Sequence, residues 1–301
     1  MRKCIQKYLR KLDITPNKTV VITGGNSGIG FEASKQFASF NYNVILAVRN
    51  LKKGNEAKEA ILKEYPTSNV QIMKLDLMSL ESIEEFTNTI IKERIDIDIF
   101  YNNAGIYRMP YKEAYLSLES MCATNFVSNY ILYDQLKEYF HSLNHPVKFL
   151  LTTSITARRR KFNEEDFYGK VKFGKYKNYG QSKVGVNKLF LHIKDETKGT
   201  NIIPILVHPG ITYTPLINKA YQGRKFVLSA QIFMRLFFHK PDKAALTALL
   251  AASNKIKESV LIGPNSLFHL SGYPKVYKLY MGNIKDYKLT ISQLQEILKK
   301  S

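Results

Sequence analysis

A tyrosine and a lysine four residues apart are the side chains in this sequence whose types and spacing best suit acid–base chemistry. Tyr179 and Lys183 stand in the stretch YGQSK (179–183), at the start of an apolar-periodic segment. A helix there would present both side chains on one face. The ordinary tyrosine pKa, near about 10, is too high for an efficient base at neutral pH, but a neighbouring lysine cation favours the phenolate. Because this spacing is common by chance, the pair alone is more readily structural than catalytic.

Ser154 adds weight to the catalytic interpretation. It follows the apolar run VKFLLT (147–152), so its hydroxyl is expected at the end of a strand. A hydroxyl in that position can donate a hydrogen bond to a substrate carbonyl and polarise it for hydride attack. The three side chains together predict transfer of a hydride and a proton to or from a carbonyl carbon and its oxygen.

A glycine-rich stretch supplies a site for a dinucleotide. Gly24, Gly28 and Gly30 lie in TGGNSGIG (23–30), between the apolar run TVVIT (19–23) and a helical pattern. At such a strand-to-helix turn, backbone N–H groups at the helix N-terminus can face a pyrophosphate. The spacing differs from the commoner G-x-G-x-x-G, and a tight turn without a ligand is the alternative. Its position after the first buried strand favours dinucleotide binding.

The end of the second predicted strand bears on which cofactor is preferred. A carboxylate there would accept hydrogen bonds from the ribose of NAD. The sequence has AVRNLKK (47–53) instead, with Arg49 at the strand end and no acid before Glu56. Arginine can hold a phosphate through parallel hydrogen bonds. We therefore expect NADP(H) to be preferred, with NAD(H) still open; the alternative for Arg49 is an exposed surface charge.

Alternating apolar runs and amphipathic segments must position these residues. The predicted strands are residues 19–23, 43–48, 70–75, 97–101, 147–152, 202–207 and 259–263. Several are continuously apolar, as strands buried on both faces must be, and helical patterns lie between them. The pattern predicts an α/β fold: a single-domain, Rossmann-like, doubly wound parallel sheet of about seven strands with helices on both faces. We expect a basic N-terminal extension at 1–16 and one domain at 17–301, with a segment covering the substrate at about 211–241.

The amino-acid composition limits the classes of binding partner to be expected. Lys and Arg number 45 against 25 Asp and Glu, a net charge of +20, which invites an anionic partner. No nucleic-acid motif accompanies that charge, so we expect no nucleic acid. The longest apolar-rich stretch, residues 226–239, is shorter than the roughly 20 residues that span a membrane. Together with RRRK (158–161), it is compatible with weak peripheral contact with anionic membranes. The competing interpretation, a soluble enzyme whose lid folds inward, is slightly favoured. Two cysteines suggest a reducing, cytoplasmic location, and no metal site is expected.

The motifs and their order resemble the short-chain dehydrogenase/reductase superfamily, from about residue 17 to nearly the C-terminus. They are TGGNSGIG, Asp76 with Leu77, NNAG (102–105), Asn125, Ser154, YGQSK and HPGITYTPL (208–216). The 25 residues from Ser154 to Tyr179, together with AVRN (47–50) and SKVGVNKLF (182–190), resemble the retinol-dehydrogenase-like branch.

The resemblance implies roles for individual residues. Tyr179 would be the general acid/base, and Lys183 would bind the nicotinamide ribose and lower the tyrosine pKa. Ser154 would orient the carbonyl, and Asn125 would hold a water in a proton relay, with a locally bonded helix amide as the alternative. Asp76 would meet the adenine, unless it serves only to form a turn. The implied cofactor-binding positions are Gly24, Asn26, Ser27, Gly28, Ile29, Gly30, Arg49, Asn50, Asp76, Leu77, Asn102, Asn103, Ala104, Gly105, Tyr179, Lys183, Pro209, Gly210, Ile211 and Thr214.

Three stretches depart from the family pattern. Thr153 replaces the first of two serines, AYLSLE (114–119) lacks an Asp-Gly pair, and ARRRKF (157–162) replaces a stretch usually richer in histidine and glycine. None removes a catalytic group, so they bear on the substrate more than on the reaction.

Aromatic and methionine side chains near both expected walls of the site predict an apolar substrate, retinoid-, steroid- or long-chain-like. Ordinary core packing of these residues is the alternative. We expect a small carbonyl or alcohol substrate and a monomer or homodimer. The rival function is a non-catalytic sensor or scaffold that binds NADP(H) without turnover.

Overall fold

One sheet organises the chain. The computed structural model describes residues 2–212, 240–266, 271–277 and 286–299, and within them eight strands form a sheet in the order β3-β2-β1-β4-β5-β6-β7-β8. The strands are β1 Thr19–Thr23, β2 Asn43–Val48, β3 Val70–Lys74, β4 Ile99–Asn102, β5 Val147–Thr152, β6 Ile202–Val207, β7 Leu261–Pro264 and β8 Pro274–Tyr277. The first seven run parallel, and β8 pairs antiparallel with β7.

Helices cover both faces of the sheet. They are α1 Lys3–Leu9, α2 Gly28–Ala38, α3 Leu51–Glu64, α4 Leu80–Lys92, α5 Ser120–Cys122, α6 Ser128–Ser142, α7 Lys175–Glu196, α8 Pro241–Ala244, α9 Leu246–Ala252 and α10 Lys288–Lys299. A π-helical segment, Ala123–Val127, joins α5 to α6, and 3₁₀ turns occur at Tyr115–Ser117, Ile155–Arg159 and Glu164–Asp166.

The two faces of the sheet carry separate apolar cores. On one face, side chains of α4, α6, α7 and α10 surround Phe100 and Phe149, whose rings stack with centroids 5.6 Å apart. On the other face, α1, α2, α3 and α9 pack against Val20, Ile22 and Leu46. Burial on both faces explains why the central strands are continuously apolar in sequence. The predicted doubly wound α/β fold is confirmed.

The last strand is a difference from the prediction. β8, with the sequence PKVY, adds an antiparallel strand to the seven predicted parallel ones. It is short, begins with proline and lies at the edge of the sheet, where a proline without an N–H group is tolerated. Such a segment lacks the continuous apolar run that marks the internal strands, so the sequence pattern does not predict it.

The N-terminal residues form part of the packed structure. In α1, Ile5 and Leu9 are buried against the second core, and Arg2 forms an ion pair with Asp242 at the start of α8. The stretch predicted as a basic extension therefore contributes apolar contacts through one face of a short helix.

The helix α10 packs against α7. Ile291 and Leu294 are buried there, and the Lys188 ammonium group of α7 donates a hydrogen bond of 2.8 Å to the Thr290 hydroxyl. Lys188 also pairs with Glu164, whose carboxylate accepts a hydrogen bond from Thr290. The C-terminal helix is thus tied by polar as well as apolar contacts to the helix that carries Tyr179.

Parallel pairing places the candidate chemistry at one edge. Strands β1, β4 and β5 are neighbours, with Ile22 opposite Tyr101 and Asn102 opposite Leu151 in the register. The loops that follow their carboxyl ends therefore meet above the middle of the sheet, where open α/β sheets bind ligands.

Candidate functional site

The turn from β1 to α2 is built for close backbone approach. Gly24 has a φ of 64°, in the left-handed region that favours glycine. A Cβ atom at Gly30 would lie 2.4 Å from the Gly24 carbonyl oxygen and 2.5 Å from Asn103 Nδ2. The Ser27 side chain makes no capping hydrogen bond at the start of α2 within the described residues. The first amides of that helix can therefore serve an external anion.

Thr23 joins this turn to the loop after β4. Its hydroxyl oxygen accepts hydrogen bonds from the backbone N–H groups of Asn103 (3.0 Å) and Ala104 (2.9 Å). Asn103 Nδ2 donates to the Thr23 carbonyl oxygen at 2.9 Å. Thr23 was not assigned a role from the sequence, although a hydroxyl at the carboxyl end of the first strand, opposite NNAG, was a usable signal. Asn102 points elsewhere, donating to the Leu150 carbonyl oxygen.

A groove runs beside this turn. It encloses about 170 Å³ and is lined by Thr23, Gly24, Asn26, Ala47, Arg49, Leu75, Asp76, Leu77, Met78, Ala104, Gly105, Ile106 and Thr124. Seven predicted cofactor positions are therefore brought together: Gly24, Asn26, Arg49, Asp76, Leu77, Ala104 and Gly105. The groove therefore joins the glycine turn after β1 to the exposed cation after β2, the two features that the sequence predicts for a cofactor site.

Residues around Arg49 show how that end of the groove is built. Arg49 is exposed, and Lys74 donates a hydrogen bond of 2.6 Å to its carbonyl oxygen. The Asn50 side chain caps α3 by accepting the Lys53 N–H at 3.0 Å, which gives this predicted cofactor residue a structural contact. Asp76 accepts the Met78 N–H at 3.1 Å, as expected of a turn-forming carboxylate, while also lining the groove.

Ser154, Tyr179 and Lys183 converge next to the groove. The Ser154 hydroxyl lies close enough to the Tyr179 phenol to act on its pKa, which it lowers. Lys183 lies one helical turn beyond Tyr179 on α7, with its ammonium group 6.0 Å from the tyrosine ring centroid. The Lys183 side chain is only 4% exposed and donates a hydrogen bond of 2.9 Å to the Thr152 carbonyl oxygen at the end of β5. The structure therefore brings three of the four predicted catalytic side chains together, and the fourth, Asn125, is described below.

Burial shifts the pKa values of both titratable groups. It raises the pKa of Tyr179 to about 12, although the neighbouring Ser154 hydroxyl acts in the opposite direction. It lowers the pKa of Lys183 to about 8. The expected lowering of the tyrosine pKa by Lys183 is not seen, because desolvation is the largest influence on the phenol. Near neutral pH the phenol is protonated and the lysine is cationic.

Asn125 lies in the π-helical segment facing this cluster. Its Oδ1 accepts the Ile106 N–H at 2.7 Å, and its Nδ2 donates to the Ile106 carbonyl oxygen at 2.9 Å and to Ser182 Oγ at 3.0 Å. The amide thus fixes the loop after β4 over α7. A Cβ atom at Gly105 would lie 3.1 Å from Asn125 Oδ1 and 3.7 Å from Lys183 Nζ, so this loop runs directly past both side chains.

Tyr107 contacts the candidate acid directly. Its ring meets the Tyr179 ring edge to face, with centroids 4.6 Å apart and planes at 85°. Both rings are partly exposed. Tyr107 therefore forms a wall of the site next to the phenol, as expected for the loop after β4.

The three stretches that depart from the family pattern make specific contacts in the structure. Thr153 Oγ1 donates to Asn187 Oδ1 at 2.5 Å, which ties the end of β5 to α7. Glu119 is fully buried and caps α5 by accepting the N–H groups of Met121 and Cys122. In the third stretch, the Arg160 guanidinium lies 5.2 Å from the Tyr176 ring centroid.

The loop after β6 is described only in part. Gly210 adopts a φ of 77°, and Thr212 donates to the Pro209 carbonyl oxygen at 3.3 Å. Thr214 and most of the predicted substrate-covering segment, 213–239, lie outside the described residues. The apolar stretch on which the predicted membrane contact rests falls there too. Among the described helices, none is both long enough and apolar enough to cross a membrane.

Comparison with known proteins identifies the family. The profile of the short chain dehydrogenase family matches residues 18–160. The chain is 31% identical over 248 residues to short-chain dehydrogenase TIC 32 B, chloroplastic, of Brassica napus, covering 79% of this chain and 77% of that protein. It is 30% identical over 254 residues to retinol dehydrogenase 13 of Mus musculus, covering 81% and 74%. The chain belongs to the short-chain dehydrogenase/reductase family, whose members are oxidoreductases that use a nicotinamide cofactor on small-molecule substrates.

A solved structure agrees with the fold. A putative uncharacterized protein from Mycobacterium paratuberculosis superposes with a TM-score of 0.76 at 23% identity, and the match covers 97% of each chain. Similarity at that level of identity supports the shared architecture.

Proposed function

We propose that this protein is an NADP(H)-dependent oxidoreductase that interconverts a carbonyl and an alcohol on an apolar substrate, with Tyr179 as the general acid/base. The observation that carries the proposal is the juxtaposition of Ser154 and Tyr179 beside buried Lys183, next to the groove that joins the glycine turn to Arg49.

The groove residues would hold the cofactor. The uncapped amides at the start of α2 suit the pyrophosphate, Asp76 the adenine, and exposed Arg49 a 2′-phosphate. When bound, the nicotinamide supplies or accepts the hydride. The absence of an acid at the end of β2, where Arg49 stands, is the basis for preferring NADP(H) over NAD(H).

The proton is assigned to Tyr179. With a pKa of about 12 its phenol is protonated near neutral pH, so it can donate to the carbonyl oxygen as negative charge develops there. Ser154 can donate a second hydrogen bond to the same oxygen and orient it. The Lys183 cation, held against the Thr152 carbonyl, stabilises the phenolate that remains. These protonation states suit the reductive direction.

The proposed substrate class is inferred from the side chain that lies against the Tyr179 phenol. Tyr107 presents an aromatic wall against Tyr179, which suits an apolar compound better than a charged one. The relative from Mus musculus is named for retinol, an apolar alcohol. Retinoid-, steroid- and long-chain carbonyl compounds are therefore the classes to test.

The test is turnover of a panel of apolar aldehydes and ketones with NADPH. Tyr179→Phe should lower kcat by roughly 10²–10⁴, the usual worth of a positioned acid or base. NADPH affinity, measured by cofactor fluorescence, should stay near the wild-type value because the ring is kept. Tyr176→Phe, on the same helix and 45% exposed in the wild type, is the matched control and should leave kcat unchanged.

Two results would count against the proposal. Wild-type turnover by Tyr179→Phe would remove this side chain from the chemistry. Tight NADPH binding with no turnover of any panel compound would favour the scaffold function instead.

A further inference from the structure

A second cavity lies at the opposite edge of the sheet from the candidate active site. It encloses about 530 Å³ and is lined by Lys18, Tyr42, Asp98, Ile99, Pro146, Lys148, Ile203, Ala252, Asn254, Ile256 and Lys257. Lys18, Asp98 and Lys148 stand at the amino ends of β1, β4 and β5. The active-site loops leave the other ends of these strands, roughly 20 Å away for a six-residue strand. The cavity is therefore separate from the cofactor groove.

The hydrogen-bond acceptors around the cavity already have partners. Asp98 accepts from the Lys18 ammonium group and from the Thr19 N–H, each at 2.8 Å. The carbonyl oxygens of Ala251, Ala252 and Ser253 accept from Lys148 Nζ at 2.9, 3.1 and 2.8 Å. A cationic ligand would find these oxygens occupied.

The groups of the cavity that remain available to a ligand are positively charged lysines and one hydrogen-bond donor. Within the part of the chain that the structure describes, Lys257 makes no ion pair, and the lining carries three lysines against one aspartate. The Tyr42 hydroxyl is buried at the cavity wall and has no hydrogen-bond partner among the described residues. A buried donor left unpaired is costly, and a ligand oxygen would satisfy it.

Apolar side chains supply the rest of the lining. Ile99 and Ile256 are buried, Ile203 is half-buried, and Pro146 and Ala252 lie beside them. The volume falls within the range of about 300–1,000 Å³ typical of small-molecule sites. An anion with an apolar body matches this combination of surfaces.

We propose that this cavity binds a small carboxylate with an apolar chain, its charge met by Lys257 and Lys18 and its chain lying on the isoleucines. Ligand oxygens reaching the wall would accept the Tyr42 hydroxyl hydrogen. The site is independent of the proposed oxidoreductase activity, since it lies at the other end of the strands.

Calorimetric titration of the full chain with sodium octanoate tests the proposal, and neither cofactor nor turnover is needed. Octan-1-ol and octylammonium chloride have the same chain without the negative charge, and we expect them to bind at least about tenfold more weakly. Lys257→Gln should raise the octanoate Kd about three- to tenfold, and Tyr42→Phe should raise it by a similar factor while keeping the ring. Lys255→Gln, an exposed lysine two residues from Lys257 and outside the lining, is the control and should leave the Kd unchanged.

The proposal is overturned if octanoate does not bind, or if octan-1-ol binds as tightly. It is equally overturned if either Lys257→Gln or Tyr42→Phe keeps the wild-type Kd, or if Lys255→Gln weakens binding as much as Lys257→Gln. Because activity is not measured, these outcomes say nothing for or against Tyr179 as the acid.

Discussion

At the scale of residues, burial shifts the pKa values of the two groups proposed to act in proton transfer in opposite directions. Burial disfavours the charged form of each, which raises the pKa of Tyr179 and lowers that of Lys183. The two pKa values, about 12 and about 8, both lie above neutral pH, so the phenol keeps its proton and the lysine keeps its charge. Near neutral pH the site is therefore set to donate a proton.

Arg49 is the residue on which cofactor preference should depend. If it holds the 2′-phosphate, Arg49→Ala should weaken NADPH binding by about 1.5–3 kcal/mol, the range for hydrogen bonds to charged groups. NADH binding should barely change, because NADH lacks that phosphate. Affinities for both cofactors, measured by fluorescence titration, check this, with Lys63→Ala at the far end of α3 as a control. Equal losses for the two cofactors would show that Arg49 acts only in the structure.

Tyr107 should act through the position of Tyr179. Tyr107→Leu removes the edge-to-face contact and should lower kcat about three- to tenfold, in line with the worth of an aromatic pair. Tyr107→Phe keeps the ring and should restore kcat, which a role for the hydroxyl would not allow. The comparison needs steady-state kinetics of both variants with one substrate. A phenylalanine variant as slow as the leucine variant would contradict the positioning role.

Residue types and spacing predicted the meeting of Ser154, Tyr179 and Lys183 because each stands at a strand end or in a single helical turn. The direction of the Tyr179 pKa shift was not predictable in the same way. It depends on how much water the folded loops exclude, and the expectation from the sequence counted only the lysine charge. The occupied amide of Asn125 and the bridging hydroxyl of Thr23 likewise depend on which loop lies opposite.

At the scale of elements, the π-helical segment and α7 fit together around one glycine. A Cβ atom at Gly185 would lie 2.6 Å from two ring carbons of Phe126, in the same segment as Asn125. Because the Phe126 ring is fully buried between α7 and the aromatic cluster of Phe162 and Phe167, it has little room to move. The absence of a side chain at Gly185 therefore sets how closely α7 approaches.

Gly185→Ala should lower the free energy of unfolding by about 1–3 kcal/mol, the usual cost of overpacking. Gly180→Ala is the matched change on the same helix, since its nearest neighbour is the Arg160 side chain at 3.0 Å, which can move aside. That variant should be neutral, or more stable by up to about 1 kcal/mol from helix propensity. Urea unfolding of both proteins measures the difference. Equal stabilities of the two variants would contradict the prediction and show that the Phe126 ring moves aside at little cost.

The same elements show what periodicity can and cannot predict. The bounds of β1, β2, β5 and β6 match the predicted runs, since strands buried on both faces are marked by uninterrupted apolar residues. The ends of β3, β4 and β7 differ by one or two residues, where the apolar run continues into a loop or begins before the pairing. The π-helical turn carries no apolar signature at all, because it arises from hydrogen bonding within an otherwise helical run.

At the scale of the whole molecule, many tyrosines resist ionisation. Burial raises the pKa of Tyr8, Tyr101 and Tyr179 to about 12, and it raises those of Tyr42 and Tyr133 further. In the unfolded chain these groups would titrate near about 10. Their contribution to stability is therefore complete below about pH 10 and is lost as pH rises through the folded pKa values.

We expect the free energy of unfolding to fall steeply between about pH 10.5 and 12. The lowered pKa values of Lys148 and Lys183, both about 8, act in the opposite sense but only up to about pH 10.5, where unfolded lysine titrates. Urea unfolding at a series of alkaline pH values, with tyrosinate absorbance recorded in parallel, measures the effect. Tyr101→Phe should make the decline shallower, and a stability that stays level to pH 12 would contradict the prediction.

The attachment of α10 to α7 has a consequence for how the chain can be shortened or extended. Thr290, Ile291 and Leu294 hold the far half of the helix whose first turns carry Tyr179 and Lys183. Proteolytic trimming that removes this last helix would leave Lys188 without one hydroxyl partner and expose an apolar stripe on α7. A purification tag at the start of the chain should therefore leave the contacts of Ile5 and Leu9 intact. A tag at its end should be separated from Lys299 by a flexible spacer.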